Sequence, residues 1–299
     1  MPDPTTSVPF GRVLTAMVTP MKPDGAVDHD GVRAVVEHLL GHGHDGLVVN
    51  GTTGESATLT SDESIEVVAT VAKAVAGRAA VVAGIGSNST AHSIEMAERA
   101  RQAGASGLLL VSPYYNKPTQ AGLVAHCRAV ADSTPLPIML YDIPARTGIP
   151  FTTATLLELA QHPQIVAVKD AKGDFAATTE VMRESDLLVY SGADEVNLPM
   201  LAMGATGVVS VIGHVAGDDY AAMVAAVDRG DLAAAREIHL RLVPVVTALM
   251  TTSQGAIMAK GALAELGVIE YPHVRLPLLE GPPEHLELLR TALKESGIR

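Results

Sequence analysis

The sequence predicts a (β/α)8 barrel (TIM barrel) with a C-terminal helical extension. Short apolar segments recur along the chain, segments with helical periodicity lie between them, and no linker interrupts the alternation. Repeated βα units of this kind build a parallel sheet, and eight of them are typical of a closed barrel. A doubly wound open sheet is the competing architecture, because periodicity does not show whether the sheet closes.

The predicted elements follow in order along the chain. The strands are Val13 to Thr19, Gly46 to Asn50, Ala79 to Ala83, Gly107 to Ser112, Pro137 to Asp142, Ile165 to Lys169, Leu187 to Ser191 and Gly207 to Val211. The clearest helices between them are Asp28 to Leu40, Asp62 to Val75, Ala91 to Ala103, Gly122 to Ala131 and Thr152 to Ala160. Ser61 and Ser64 do not form a capping box, but Thr60 to Glu63 supplies cap oxygens and first-turn acids.

We predict a catalytic barrel over residues 10–217, and over residues 218–299 the last barrel helix with a helical extension. From Asp218 onward the pattern is nearly all helical, which suggests three or more helices packed beside the barrel. The interruptions fall at Pro244, Gly255, Gly267 and Pro272 to Pro283.

Composition excludes several classes of protein. A formal charge of −12 without a basic run disfavours nucleic acid as a partner. No apolar run is long enough for a membrane span and the N-terminus does not resemble a signal peptide, so we expect no membrane association and a cytoplasmic location. The single Cys127, in a helical segment, predicts a packed and unreactive thiol.

Lys169 stands at a costly position for a charged side chain. It follows the apolar run Ile165-Val166-Ala167-Val168, so it ends a predicted buried strand, where α/β enzymes carry out their chemistry. In apolar surroundings an amine loses hydration and its pKa falls, which makes it a nucleophile able to form a Schiff base. The alternative is a rim lysine whose stem packs on the barrel while its charge stays in water.

Two threonines follow the second predicted strand, in Gly51-Thr52-Thr53-Gly54-Glu55-Ser56. The glycines let backbone N–H groups and the hydroxyls of Thr52 and Thr53 approach a small carboxylate or phosphate. The stretch lacks the lysine of a P-loop, which argues against a nucleoside triphosphate. An ordinary glycine-rich turn before a helix explains the same residues equally well.

Three of the six tyrosines end the fourth and fifth predicted strands. Tyr114 and Tyr115 are candidates for proton transfer or for a cover over the barrel mouth. Tyr141 lies one strand before Lys169, so its phenol would reach the same substrate atom as the amine. Arg146 is a candidate carboxylate clamp, although an isolated arginine on a turn is more often a surface residue.

The remaining strand ends point to binding more than to acid–base chemistry. Gly192 allows a ligand to approach the backbone. His214 has acid–base potential, but a lone histidine at a loop start is usually structural. His38, His42 and His44 predict a solvated cluster at a helix end, and with no metal-ligand spacing in the chain we predict neither a metal nor a cofactor.

Four segments, in order, resemble the dihydrodipicolinate synthase (4-hydroxy-tetrahydrodipicolinate synthase) family of pyruvate-dependent lyases. They are Gly51 to Ser56 (GTTGES), Pro113 to Pro118 (PYYxxP), Tyr141 to Gly148 (Y-[ND]-[IV]-P-x-R-T-G) and the Schiff-base strand at Val168-Lys169-Asp170. The resemblance runs from about Val13 into the C-terminal helices.

The resemblance implies the reaction and its catalytic residues. Lys169 would form an imine with pyruvate, and the derived enamine would add to L-aspartate 4-semialdehyde before ring closure and loss of water. Tyr141 would carry protons in a relay with Thr52 and Tyr115. A homotetramer is implied, with Tyr115 reaching into a neighbouring active site, and the product would enter lysine and diaminopimelate synthesis.

The resemblance also implies the residues that hold the substrates. Thr53 and the backbone at Val209 would bind pyruvate, Arg146 would bind the carboxylate of the semialdehyde, and Gly192 would leave room beside them. Two alternatives stay open: an aldolase or dehydratase of the same family acting on a sugar-derived 2-keto acid, and a catalytically silent keto-acid-binding barrel.

Three positions differ from family members that L-lysine inhibits. Ser61 and Ser64 stand where some such enzymes carry histidines, and His92 stands where they carry an acidic residue that grips the lysine amine. Loss of that carboxylate predicts weak or absent inhibition by L-lysine.

Overall fold

The computed structural model describes residues 8–298, in which eight parallel strands pair in chain order into a closed barrel. The strands are β1 Val13–Ala16, β2 Gly46–Val49, β3 Ala80–Gly84, β4 Gly107–Val111, β5 Ile138–Asp142, β6 Ile165–Asp170, β7 Leu188–Ser191 and β8 Gly207–Ser210. Leu14 of β1 pairs with Val209 of β8, which closes the sheet. The prediction of a (β/α)8 barrel is confirmed, and the open sheet is excluded.

Helices surround the barrel and continue beyond it. Those over the barrel are α1 His29–Gly41, α2 Ser61–Val75, α3 Thr90–Gln102, α4 Gln120–Asp132, the short α5 Pro144–Thr147, α6 Thr153–Leu159, α7 Phe175–Glu184, α8 Asn197–Met203 and α9 Gly213–Asp228. The C-terminal extension consists of α10 Leu232–Thr251, α11 Gly255–Glu265 and α12 Pro283–Glu295. None of the helices within residues 8–298 is long and apolar enough to cross a membrane. The boundary at residue 217 stays a prediction.

One local prediction is wrong, and one is confirmed. Pro244 does not end a helix but lies inside α10. Its neighbours Leu242 and Val245 are buried, and their packing outweighs the backbone hydrogen bond that the proline removes. Thr60 and Glu63 supply the predicted cap of α2, and together they form a capping box: the Glu63 N–H donates to the Thr60 hydroxyl, and the Thr60 N–H donates to the Glu63 carboxylate.

Side chains fill the barrel interior, and their alternation along each strand shows which residues face inward. Alternate residues of each strand point inward, and the inward set is Leu14, Ala16, Val48, Val82, Leu109, Met139, Tyr141, Ala167, Tyr190 and Val209, with Phe10 packed against it. A larger apolar layer separates the strands from the surrounding helices. Because Ala167 faces inward, Lys169, two residues further along β6, faces the same way.

Candidate active site

Lys169 points into the barrel at the carboxyl end of β6 and is only 4% exposed. Burial lowers the pKa of its amine to about 8, the nearby Asp194 charge opposes this shift, and the Arg146 charge adds to it. Between residues 8 and 298, no carboxylate forms a salt bridge with Lys169. The rim alternative is therefore excluded, and a useful fraction of the amine is free at neutral pH.

Tyr141 lies beside Lys169, as the strand order predicts. The two residues are paired in the β5–β6 register, and the Lys169 Nζ lies 4.3 Å from the centre of the Tyr141 ring. Burial raises the pKa of the phenol to about 12, while Arg146 and a hydrogen-bonding interaction with Thr52 act in the opposite direction. The neutral phenol is thus a proton donor held against the amine.

The Gly51 to Ser56 turn brings Thr52 to the same place. Thr53 is buried, and hydrogen bonding with the Thr52 side chain acts to lower the pKa of the Tyr141 phenol. Backbone hydrogen bonds fold the turn tightly: Gly54 N donates to Gly51 O over 3.1 Å, and Glu55 N donates to Thr52 O over 3.1 Å. Thr52, Tyr141 and Lys169 therefore form one cluster.

The predicted substrate-binding residues surround this cluster. Arg146 is solvent-exposed on α5, yet its charge acts on both Tyr141 and Lys169, so it lies at the mouth of the site. Gly192 makes room for the nucleophile, since a Cβ there would stand 2.8 Å from Cγ and 3.0 Å from Cε of Lys169. Val209 is buried in the inward set.

Tyr115 is the one predicted site residue that lies away from the cluster. It is 89% exposed, with a left-handed backbone at φ 73°, on the loop that follows β4. The neighbouring Asn116 side chain donates to the Asn88 carbonyl over 3.0 Å, which ties the loop to the end of β3. An exposed tyrosine on a tethered loop is what a residue that inserts into another subunit would look like in a single chain.

Other candidates from the sequence prove structural. His214 is fully buried, accepts the Val18 N–H through Nε2 and donates through Nδ1 to the Val211 carbonyl. The prediction of a solvated histidine cluster is wrong for His44, whose ring is buried against the Thr15 hydroxyl. Cys127 is buried, which confirms a packed thiol, and burial raises the pKa of that thiol to about 12.

Lys172 belongs to a separate polar group below the β5 and β6 ends. Its Nζ lies 3.5 Å from the Asp142 carboxylate, whose pKa burial raises to about 6 despite the lysine. Asp142 pairs in register with Asp170, which accepts from the Thr178 hydroxyl. These contacts keep Lys172 occupied away from Tyr141.

The sequence patterns do not single out Asp194, although its charge reaches Lys169. The carboxylate is buried and accepts hydrogen bonds from Ser210, Asn197 and the backbone N–H groups of Val211 and Ile212. These bonds fix the end of β8 next to Val209. The available signal was a charged residue shortly after an apolar strand, and a charge at the end of an apolar strand also marks Lys169.

Comparison with known proteins agrees with this geometry. Residues 9–296 match the Dihydrodipicolinate synthetase family. The chain belongs to this family. A curated relative from Kineococcus radiotolerans, named 4-hydroxy-tetrahydrodipicolinate synthase, is 54% identical over 290 residues, which are 97% of this chain and 94% of the relative.

Solved structures of the family superimpose closely. The enzyme from Cyanidioschyzon merolae with lysine bound has a TM-score of 0.93 at 43% identity, covering 97% of this chain and 99% of that one. The chloride-inhibited enzyme from Acinetobacter baumannii, complexed with pyruvate, has a TM-score of 0.93 at 36% identity, covering 97% and 100%. The predictions of the family and of an enzyme are confirmed, and the sugar-aldolase alternative is not favoured.

Proposed function

We propose that the protein condenses pyruvate with L-aspartate 4-semialdehyde to give 4-hydroxy-tetrahydrodipicolinate, the step expected in lysine and diaminopimelate synthesis. The observation that carries the proposal is the contact of a buried lysine of lowered pKa with a neutral tyrosine. The names of the close relatives support the choice of substrates. A cytoplasmic location stays a prediction from the sequence.

The first chemical step follows from the positions of Lys169 and Tyr141. The free amine attacks the ketone carbon of pyruvate, and the carbinolamine loses water when the Tyr141 phenol donates a proton to the departing hydroxyl. Loss of a methyl proton from the resulting imine gives the enamine. The enamine carbon then bonds to the aldehyde carbon of the second substrate, which restores the imine on Lys169. The amino group of that substrate attacks the imine carbon, so that the ring closes and the bond to the Lys169 amine breaks, while Tyr141 and Thr52 exchange the protons that balance each step.

The binding residues account for substrate orientation. Thr53 and the backbone at Val209 hold the carboxylate of pyruvate inside the barrel, at the carboxyl ends of the strands. Gly192 leaves space for the lysine once it carries the substrate. Arg146, at the mouth, holds the carboxylate of the semialdehyde through two parallel hydrogen bonds. In this arrangement the enamine lies deeper in the barrel than the incoming aldehyde.

Borohydride reduction in the presence of pyruvate tests the proposal directly. Reduction converts the imine into a stable secondary amine, so intact mass and peptide mapping should find a pyruvyl adduct on Lys169. Lys172→Met should leave that adduct unchanged and Lys169→Met should abolish it. An adduct on Lys172, or none on the wild-type protein, would refute the assignment.

We also propose a homotetramer in which Tyr115 completes the proton relay of a neighbouring subunit. The exposure of this tyrosine on a tethered loop supports the idea. Mixing subunits tests it: Tyr115→Phe and Lys169→Met proteins, each of low activity, should regain activity when dissociated and reassociated together. Complementation requires that the two residues come from different chains, so a mixture no more active than its parts would contradict the shared site.

A further inference from the structure

A second buried lysine ties the C-terminal extension to the catalytic turn. Lys260 of α11 is fully buried, and its amine forms an ion pair with the Glu55 carboxylate and donates to the His273 carbonyl over 2.7 Å. Glu55 is itself buried and belongs to the Gly51 to Ser56 turn. The two partners are 205 residues apart in sequence.

Glu55 connects this ion pair to Thr52. Its backbone N–H donates to the Thr52 carbonyl over 3.1 Å, and its second carboxylate oxygen accepts the Arg275 N–H over 2.9 Å. Its backbone is left-handed at φ 56°, an uncommon state for a residue with a Cβ. Such a conformation persists where surrounding contacts over-determine it. Here Thr52 and Thr58 hold the Glu55 backbone, and the extension holds its carboxylate through Lys260 and Arg275.

The extension also holds the far end of the loop between β2 and α2. The Arg275 guanidinium donates to the Thr58 carbonyl over 2.7 Å and pairs with Glu63, the residue that closes the α2 capping box. At the near end, Asn50 is left-handed as well, and its amide donates to the Ser64 carbonyl over 2.7 Å. The turn that carries Thr52 and Thr53 is thus fastened at both ends.

We infer that Glu55 and Lys260 are a positioning pair, through which the C-terminal extension fixes the Thr52 hydroxyl against Tyr141. A buried ion pair is a poor source of stability, because well-packed apolar side chains of similar volume often do as well or better. What the pair provides here is geometry: one carboxylate anchors the residue whose N–H holds the Thr52 backbone. This inference rests on the proposed proton relay.

The expected effect is on proton transfer and not on the nucleophile. A displacement of about 1 Å in a positioned group lowers rates by about 100-fold. Lys260→Met should therefore lower kcat by about 10- to 100-fold, while borohydride still traps pyruvate on Lys169. Glu55→Gln, which keeps the shape and an accepting oxygen, should give a smaller loss in a protein that folds normally.

Two comparisons separate positioning from simple destabilisation. In Lys260→Met an uncompensated carboxylate stays buried, so the Glu55→Gln/Lys260→Met double variant should recover thermal stability while its kcat stays low. In a Thr52→Val background, Lys260→Met should reduce kcat less than about twofold further, because its effect acts through the missing hydroxyl. Recovery of kcat together with stability, or a fully additive loss in the Thr52→Val background, would overturn the inference.

A matched control comes from the same helices. Glu265 of α11 pairs with Arg290 of α12 at the surface, so Arg290→Gln removes an ion pair of the extension that has no contact with the turn. Its kcat should match that of the wild type. If the wild-type protein forms no pyruvyl adduct, the proposed function fails; if it forms the adduct and Lys260→Met keeps full kcat, only the positioning role fails.

Discussion

Lys169 and Lys260 are both buried, yet only one of them suits nucleophilic catalysis. Lys260 meets a carboxylate and a carbonyl at hydrogen-bond distance, so its protonated form has the partners that a buried ammonium needs. Lys169 meets the face of a tyrosine ring, and its charge partners act from further away. Burial lowers the pKa of both amines, so the difference between them lies in pairing: of the two, Lys260 alone forms a salt bridge with a carboxylate.

Replacing each of the two lysines in turn is the strongest test of this comparison. Lys169→Met should abolish the pyruvyl adduct and reduce turnover by about 1,000-fold or more, because it removes the nucleophile. Lys260→Met should retain the adduct in full. Mass spectrometry after borohydride treatment measures both, and an adduct that vanishes in Lys260→Met would erase the distinction between the two residues.

Tyr141 gives the next largest effect, because it is the neighbour that distinguishes Lys169. Tyr141→Phe keeps the ring against the amine but removes the proton donor. We expect kcat to fall by about 100- to 10,000-fold, the range of general acid–base catalysis, with little change in pyruvate binding. Steady-state kinetics with both substrates and pyruvate titration of the variant measure the two quantities; an unchanged kcat would contradict the relay.

The same contrast explains what the sequence could and could not predict. The catalytic pair was predictable because Lys169 and Tyr141 end adjacent apolar strands, and a parallel barrel brings such ends together. The helix through Pro244 was not, since its stability comes from packing and not from local propensity. The Glu55 and Lys260 pair joins positions 205 residues apart, and no local pattern encodes that contact.

Signals for the missed residues are visible in retrospect only in part. Lys260 is the single charge within residues 255–264, an otherwise apolar stretch of α11, and it is the same kind of anomaly that marks Lys169 at the end of β6. The sequence shows that each is costly, but not what each one meets. Whether a buried charge is paired depends on the tertiary fold, and the pairing determines its chemistry.

The pH dependence of adduct formation sharpens the comparison further. Because the pKa of Lys169 is lowered to about 8, the free amine increases by about tenfold per pH unit below that value and levels off above it. The rate of trapping with pyruvate alone should therefore rise from pH 6 and flatten above pH 8. Arg146 helps to lower this pKa, so Arg146→Gln should move the whole curve to higher pH.

Pyruvate alone is the right probe for this shift, since the proposed role of Arg146 in binding concerns the second substrate. Arg128→Gln, which removes an exposed arginine that pairs with Glu158 on the outer helices, is the control for a general loss of positive charge. Its curve should coincide with that of the wild type. An unchanged curve in Arg146→Gln, or one that moves to lower pH, would mean that the charge of Arg146 does not lower the pKa of Lys169.

The smallest expected effect concerns inhibition by free L-lysine. Its binding also depends on whether an ammonium group is paired with a carboxylate. His92 is half-buried at the start of α3, where inhibited relatives are expected to present a carboxylate to the amine of L-lysine. A missing charge-assisted contact of about 1.5 to 3 kcal/mol weakens binding by about tenfold or more. L-lysine should inhibit the wild-type protein weakly or not at all, and His92→Glu should lower the half-inhibiting concentration at least tenfold. Micromolar inhibition of the wild type in a steady-state assay would show that the ammonium group of L-lysine binds another residue of this protein.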